Sequence, residues 1–565
     1  MNDPVFMSMW NFTPSEEFSQ QSKLKHVSLV IFPFFCLTTP FLVFLDYYDY
    51  GLFRLEIFIG IFGFLLISLL CSAAMKCGGF IGNKIIGFTL ITIFFSIQFG
   101  SSAETAFTLM LVSVAVLLLL FKENFNLIAA AIFATFFVVT LSQALFPKSV
   151  QSLEFKSHAI AGESRSLPRI IHIILDEHIG LEGIPTDIAE GVKVKTQLRK
   201  FYNKYGFMTF DGAYSHYFHT VNSVGNLLNF SAAPQDRTYI SEGESPNKLL
   251  QNHYFESLSQ AGYRLNVWWG HHLDYCSYSP VVIDNCIQVP PGGLQISQHL
   301  SLQPLERLQL VFSAYLNLSN IYQGFRNYYQ TFRNQIIHYG VSLPSATWDR
   351  HLVTALPYLD SINVLWQNIL ILPEGSAIFA HLLLPHYPYV ANSDCTIKSS
   401  IKEWKYSSLL FTPYYPYQEG VHNTDVSRKT HYQEYLKQVQ CLYVKLDELF
   451  QRMETADIFK KSIVIIHGDH GSRIVRMEPS IENEQELSKQ DYIAGYSTLF
   501  AVKFPKQLGG NDTKPYPIEY LLREKVVNNL LGKNGTLTPP TPFVFLRSED
   551  LAVQALKRVP YPLTP

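Results

Sequence analysis

Charge is what this sequence has least of. Only 16% of its 565 residues are Asp, Glu, Lys or Arg, against 48% hydrophobic, an apolar balance for a soluble protein. No basic run is present and the net charge is -2, so nucleic acid is not an expected partner. The seven cysteines contain no Cys-x-x-Cys pair, which argues against a cysteine-based metal site. A cleavable signal is also missing. About 25 mostly polar residues precede the first apolar run and no small-residue cleavage pattern follows it, so that run is expected to remain as an anchor. There are no internal repeats.

The apolar excess lies at one end, in five runs: His26 to Leu45, Leu52 to Ala74, Ile85 to Gly100, Thr105 to Phe121 and Asn126 to Phe146. A bilayer core takes about 20 such residues per helix, so each can span, the third and fourth only barely. A buried helical core in a soluble domain would need polar faces at helical period, and these runs have almost none. Lys23, Lys25, Lys76, Lys84 and Lys122 sit in alternate connections. By the positive-inside tendency the amino terminus is cytoplasmic and everything after Phe146 lies outside. Cys276, Cys286, Cys395 and Cys441 then fall where disulfides form, and Cys276 with Cys286 is the preferred pair because it closes a short loop.

The expected organisation is a cytoplasmic terminus over 1–25, a five-helix membrane domain over 26–146 and a polar linker over 147–166. A catalytic domain over 167–505 and a tail over 506–565, rich in Pro, Gly and Asn and expected to be loosely packed on that domain or trailing from it, complete the chain. In the catalytic domain, strand-like runs at Arg169 to Leu175, Phe207 to Phe210, Arg264 to Trp269, Ser376 to Leu384, Ile463 to Ile466 and Tyr496 to Phe504 alternate with helical patterns. That alternation predicts an α/β fold, a mostly parallel sheet covered by helices on both faces. Ser301 to Ile337 reads as an amphipathic aromatic helix. Its shortage of Lys and Arg favours a core element over one resting on the membrane surface.

Two of these strands end unusually. The first runs into Asp176-Glu177-His178 and the later one into His467-Gly468-Asp469-His470. Ligand-binding groups gather at the carboxyl ends of strands in open α/β sheets, and oxygen and nitrogen donors there suit a cation. The alternative is a solvated glycine turn. Ser376 to Leu384 leads into His386 and carries His381. In Ser215 to Leu228, Thr220 falls at the start of a helical run, where free N–H groups favour an anion and a metal-activated hydroxyl becomes a usable nucleophile; as a plain alternative, Thr220 or Ser223 is an N-cap.

With its order of an acid after the first strand, a threonine about 40 residues on, a histidine-bearing strand end and then Asp-His-Gly, the chain resembles the alkaline phosphatase and sulfatase superfamily. The five spans make it similar to the membrane-anchored bacterial branch of phosphoethanolamine transferases and lipoteichoic acid synthase-like phosphoglycerol transferases. The resemblance implies Thr220 of Thr-x-x-Ser223 as nucleophile, with Asp176 or Glu177, Asp469 and His470 around a divalent metal. Zn or Mn is favoured, with Mg or Ca as alternatives. The histidine pair of that branch corresponds to His381 and His386, the latter as proton donor or phosphate contact; His381, Ser223 and Arg473 are candidate substrate contacts, with a buried structural role as the alternative for His381 and a solvated surface position as the alternative for Arg473. A sulfatase would need a Cys/Ser-x-Pro-x-Arg pattern, which Thr220 to Val224 does not offer.

These likenesses lead to an expected monomeric enzyme of a bacterial inner membrane with its catalytic domain in the periplasm. It would move a phospholipid head group through Thr220 to an envelope glycan or lipid acceptor. A phosphodiesterase or phosphatase with water as acceptor, and a non-catalytic envelope protein, are the alternatives.

Overall fold

The computed structural model describes residues 14–99, 125–145, 153–155, 167–318, 328–329, 332, 355–404 and 425–562, apart from short stretches within these ranges. Its contacts divide the chain into two units, one of residues 1–150 and 297–350, the other of 151–296 and 351–565.

In the first unit, His26–Tyr47, Leu55–Cys77 and Phe125–Ala144 are long and apolar enough to cross a membrane, and Ile81–Ile97 is a shorter apolar helix. The fourth predicted run, Thr105 to Phe121, lies outside the described residues. Phe32, Met75, Phe94, Phe125 and Phe133 form the buried seam between helices. Phe58, Phe62, Leu66 and Leu70 face outward at 47% exposure or more, as a helix against lipid tails requires.

Most of 317–337 lies outside the described residues, and the described part of the mid-chain run departs from expectation. Helix Pro304–Leu316 belongs to this unit and not to the core of the α/β unit. Phe312 stacks on Phe41 with ring centroids 5.1 Å apart, and Tyr315 meets Phe41 edge-on at 5.2 Å. Arg307 is its single basic residue, and the shortage of Lys and Arg reflects packing against apolar helices, a third situation beside the two weighed from sequence.

The second unit holds an eight-stranded sheet in the order Gly510–Asp512, Met208–Phe210, Phe500–Lys503, Ile463–Gly468, Ile170–Leu175, Ser376–Leu382, Arg264–Trp269, Ile283–Gln288. Strand Phe500–Lys503 is antiparallel to both neighbours and every other pairing is parallel. The three central strands are buried along their whole length, as their β-branched composition predicts. Two disulfides, Cys276–Cys286 and Cys395–Cys441, take up all four cysteines of this unit.

The tail is not loose. Gly510–Asp512 extends the sheet, and Phe543–Leu546 pairs with Lys557–Pro560 as a hairpin that packs on the segment before Thr220. There His216 stacks on Phe543 at 4.1 Å, and its backbone carbonyl accepts from Phe545 N–H at 2.8 Å. Ile518, Leu521 and Leu522 pack against Val224, Leu227 and Leu228 of the Thr220 helix.

Between them Glu519 is buried with neither carboxylate oxygen hydrogen-bonded, and burial pushes its carboxyl up to about 8. The folded protein therefore holds a proton there that the unfolded chain has released above its ordinary carboxyl range. The resulting stability is complete below about pH 4.5 and is lost as pH rises through 8. Glu519→Gln is expected to raise the thermal unfolding midpoint at pH 8.5 by an amount corresponding to a few kcal/mol, and to leave it near wild type at pH 4.5.

Candidate active site

The register of the central sheet assembles the site. Leu175 is paired with Leu382 on one side and with Gly468 on the other. Asp176 and Asp469, the next residues along two adjacent parallel strands, therefore leave the sheet at the same level. His381 stands one residue before Leu382. Asp176, His381 and Asp469 are buried, and one ligand atom from each lies within 4.8 Å of the others. The turn after Asp469 is pressed against its neighbour: a Cβ on Gly471 would meet the Ala494 carbonyl at 2.2 Å, which is why glycine is needed there.

The donor atoms are oriented with unusual completeness. Oδ1 of Asp469 accepts the backbone N–H groups of Glu177 and His470, both at 3.0 Å, leaving Oδ2 directed elsewhere and without a hydrogen bond. Nδ1 of His470 donates to the Gly471 carbonyl at 2.9 Å, so the Nε2 lone pair faces Oδ2 of Asp469 at 3.2 Å. Two electron-rich atoms that close repel unless positive charge stands between them or on the ring. Burial pushes the His470 imidazole below its ordinary range, disfavouring the charged ring; a cation beside the two atoms would relieve the repulsion.

His381 tells a similar story. Its Nδ1 lies 2.7 Å from Tyr275 Oη, and burial raises that phenol well above its usual range, so it stays protonated. The Nε2 atom points into the cluster, 3.5 Å from Asp176 Oδ2 and without a hydrogen bond; the tautomer whose Nδ1–H donates to the phenol oxygen would present a lone pair there. A hydrogen-bonding group behind the ring commonly fixes the tautomer of a metal-binding imidazole. Burial raises the Asp176 carboxyl, but neighbouring His386, His381 and His470 outweigh it and hold the carboxyl below the ordinary carboxylate range. Two carboxylates and two imidazoles make a mixed oxygen and nitrogen set that fits a divalent cation.

Thr220 opens helix Thr220–Leu228, and its Oγ1 lies 3.1 Å from His470 Nε2. The first and last acidic strand tips and the threonine thus meet in one place. Ser223, expected as a substrate contact, is instead fully buried. Its hydroxyl bonds the Asp469 carbonyl at 2.5 Å and Ser215 Oγ at 2.9 Å, tying the Thr220 helix to the Asp469 turn.

Glu177 differs from expectation too. Its neighbour Asp176 faces the cluster, while Glu177, at φ +63°, turns its carboxylate to Arg473, whose Nε donates to Oε1 at 2.6 Å. His386 joins this second group, with Nε2 3.1 Å from Arg473 Nη2 and 3.5 Å from Glu177 Oε1. Arg473, read from sequence as a free phosphate contact, is only 6% exposed and paired. His178 points away, held by the Ile179 carbonyl and Tyr443 Oη. Tyr275 was not legible in the sequence at all, since nothing beside it marks a partner 106 residues away.

No family model matches the sequence and no curated protein matches it. Solved structures do. The periplasmic domain of EcEptC from Escherichia coli is 12% identical, with 71% of this chain and 94% of that one covered at a TM-score of 0.38. A protein in the alkaline phosphatase superfamily from Vibrio parahaemolyticus is 8% identical, with 69% and 74% covered at 0.35. A phosphonate monoester hydrolase of Agrobacterium radiobacter is 10% identical, with 68% and 82% covered at 0.40. At this level of likeness, chemistry has to be argued from the residues of this chain.

Proposed function

We propose that the protein is a metal-dependent phosphotransferase that moves a phospholipid head group, phosphoethanolamine or phosphoglycerol, through a covalent intermediate on Thr220 to an envelope glycan or lipid. The observation that carries this reading is the meeting of Thr220 Oγ1 with His470 Nε2 at 3.1 Å, at a helix amino terminus and beside the Asp176, His381 and Asp469 cluster.

Asp176, Asp469, His381 and His470 are the residues that would hold a divalent cation. Such a cation supplies Lewis acidity, lowering the pKa of a bound hydroxyl by several units and neutralising phosphoryl oxygen charge. Thr220 Oγ1 forms the new bond to phosphorus while the bond from phosphorus to the glycerol oxygen of the lipid breaks. The threonine proton leaves to solvent, and the departing diacylglycerol oxygen takes a proton from His386. In the second half an acceptor hydroxyl gives its proton to His386 as its oxygen bonds phosphorus, the bond from phosphorus to Thr220 Oγ1 breaks, and that oxygen takes a proton from solvent. N–H groups at the start of the Thr220 helix favour the negative charge that develops at each step. Arg473 and Glu177 keep His386 in position.

Mass spectrometry of the Thr220 peptide after incubation with phosphatidylethanolamine or phosphatidylglycerol tests this. The expected result is an added phosphoethanolamine or phosphoglycerol, discharged only when an acceptor is supplied. Discharge by water alone would make the protein a phosphodiesterase, and no adduct with either lipid would overturn the reading.

A further inference from the structure

The membrane unit carries a second charged site that the catalytic reading does not use. A cavity of ≈ 480 Å³, lined by Arg54, Glu56, Gln298 and Arg307 among others, opens at the start of helix Leu55–Cys77, whose N-terminus has no side-chain cap. All of these residues belong to one unit.

Its charges are built, not scattered. Glu56 is fully buried. Its Oε1 accepts Tyr50 Oη–H at 2.8 Å and Arg307 Nε–H at 2.9 Å, while Oε2 makes no hydrogen bond. Arg307 is fixed further by Nη1 donating to the Leu302 carbonyl at 2.7 Å. Arg54 is held through Gln298, its Nε on Oε1 at 3.1 Å and its Nη1 on the backbone carbonyl at 2.6 Å. Two guanidiniums against one carboxylate leave a surplus positive charge, and the helix terminus adds to it. A rigid pair of forks over an uncapped helix end suits a phosphate.

A second feature identifies what carries the phosphate. Phe53 beside the cavity is 81% exposed, and Leu55, Phe58 and Phe62 follow down one side of the helix at 60%, 55% and 59%. Their spacing of three and four residues makes one continuous stripe, and this helix is long and apolar enough to cross a membrane. Charge at the head of such a stripe matches a phospholipid, phosphate in the cavity and acyl chain along the rings.

We infer that this cavity is a phospholipid-binding site, with Arg54 and Arg307 as its phosphate contacts. It takes phosphodiester head groups, and the experiment distinguishes ethanolamine from glycerol. The inference does not depend on the chemistry proposed for Thr220.

The full chain, purified in detergent and delipidated, is offered dioleoyl-phosphatidylethanolamine, dioleoyl-phosphatidylglycerol or dioleoylglycerol, and retained lipid is counted by native mass spectrometry. The wild type is expected to retain a phospholipid and to lose it with Arg54→Ala, occupancy falling about tenfold or more, while Arg54→Lys keeps an intermediate share. Thr220→Ala should retain lipid as wild type does, so failure of head-group transfer would not be mistaken for failure here. If Arg54→Ala does not fold, Gln298→Ala, which removes the side-chain contact orienting Arg54, should lower occupancy in the same direction. Equal retention of dioleoylglycerol, or retention unaffected in a folded Arg54→Ala protein, would overturn the inference.

Discussion

Replacing Thr220 by alanine is expected to reduce head-group release from phospholipid by at least about 10³-fold, because loss of a nucleophile removes the covalent route and not merely one contact. The site should survive the change. Thr220 is partly exposed at the first position of its helix, and the tie to the Asp469 turn runs through Ser223. Metal content should therefore remain close to wild type while turnover disappears. Thr220→Ser, which keeps a hydroxyl, is expected to recover part of the activity. Elemental analysis and single-turnover assays on the same preparations check both halves, and undiminished turnover by Thr220→Ala would remove the threonine from the reaction.

The second large effect separates two adjacent acids. Asp176→Asn is expected to lower metal occupancy about tenfold or more and to abolish activity with it, because this carboxylate faces Asp469 and His381. Glu177→Gln should keep its metal. Its carboxylate pairs with Arg473 and lies near His386, so its loss should lower the catalytic rate about 10- to 100-fold by loosening those groups. Titration with zinc, followed by competition and by turnover, gives both numbers. The opposite pattern, metal lost from Glu177→Gln and kept by Asp176→Asn, would exchange the two roles.

How much of this could be read beforehand depends on the distance over which each signal acts. Asp176, Asp469 and His470 were legible because a β-branched apolar strand ending on acid and imidazole is a local contradiction that calls for an explanation. Thr220 was legible because hydroxyl residues before an apolar helical run are local too. The choice between Asp176 and Glu177 was not, since the ion pair that claims Glu177 reaches across 296 residues. Arg473 looked solvated for the same reason, and Ser223 looked like a substrate contact until the turn it supports came into place.

Larger elements followed the same rule. The mid-chain helix Pro304–Leu316 showed its apolar face in the sequence but not which apolar surface would receive Phe312 and Tyr315. The tail, judged by its Pro and Gly, hid an apolar strand, Phe543-Val-Phe-Leu546, whose pairing and stacking bring it against His216. Composition averages over such a segment, whereas folding responds to the four residues that can be buried.

The central claim is that the tips of two neighbouring strands and the start of one helix share a single cation. Anomalous scattering from crystals of the full chain grown with zinc tests it most directly. The account predicts a peak within roughly 2.0–2.3 Å of donor atoms from both Asp176 and Asp469, with Thr220 Oγ1 beside it. Zinc bound elsewhere, with the Asp176 and Asp469 carboxylates uncoordinated, would contradict it.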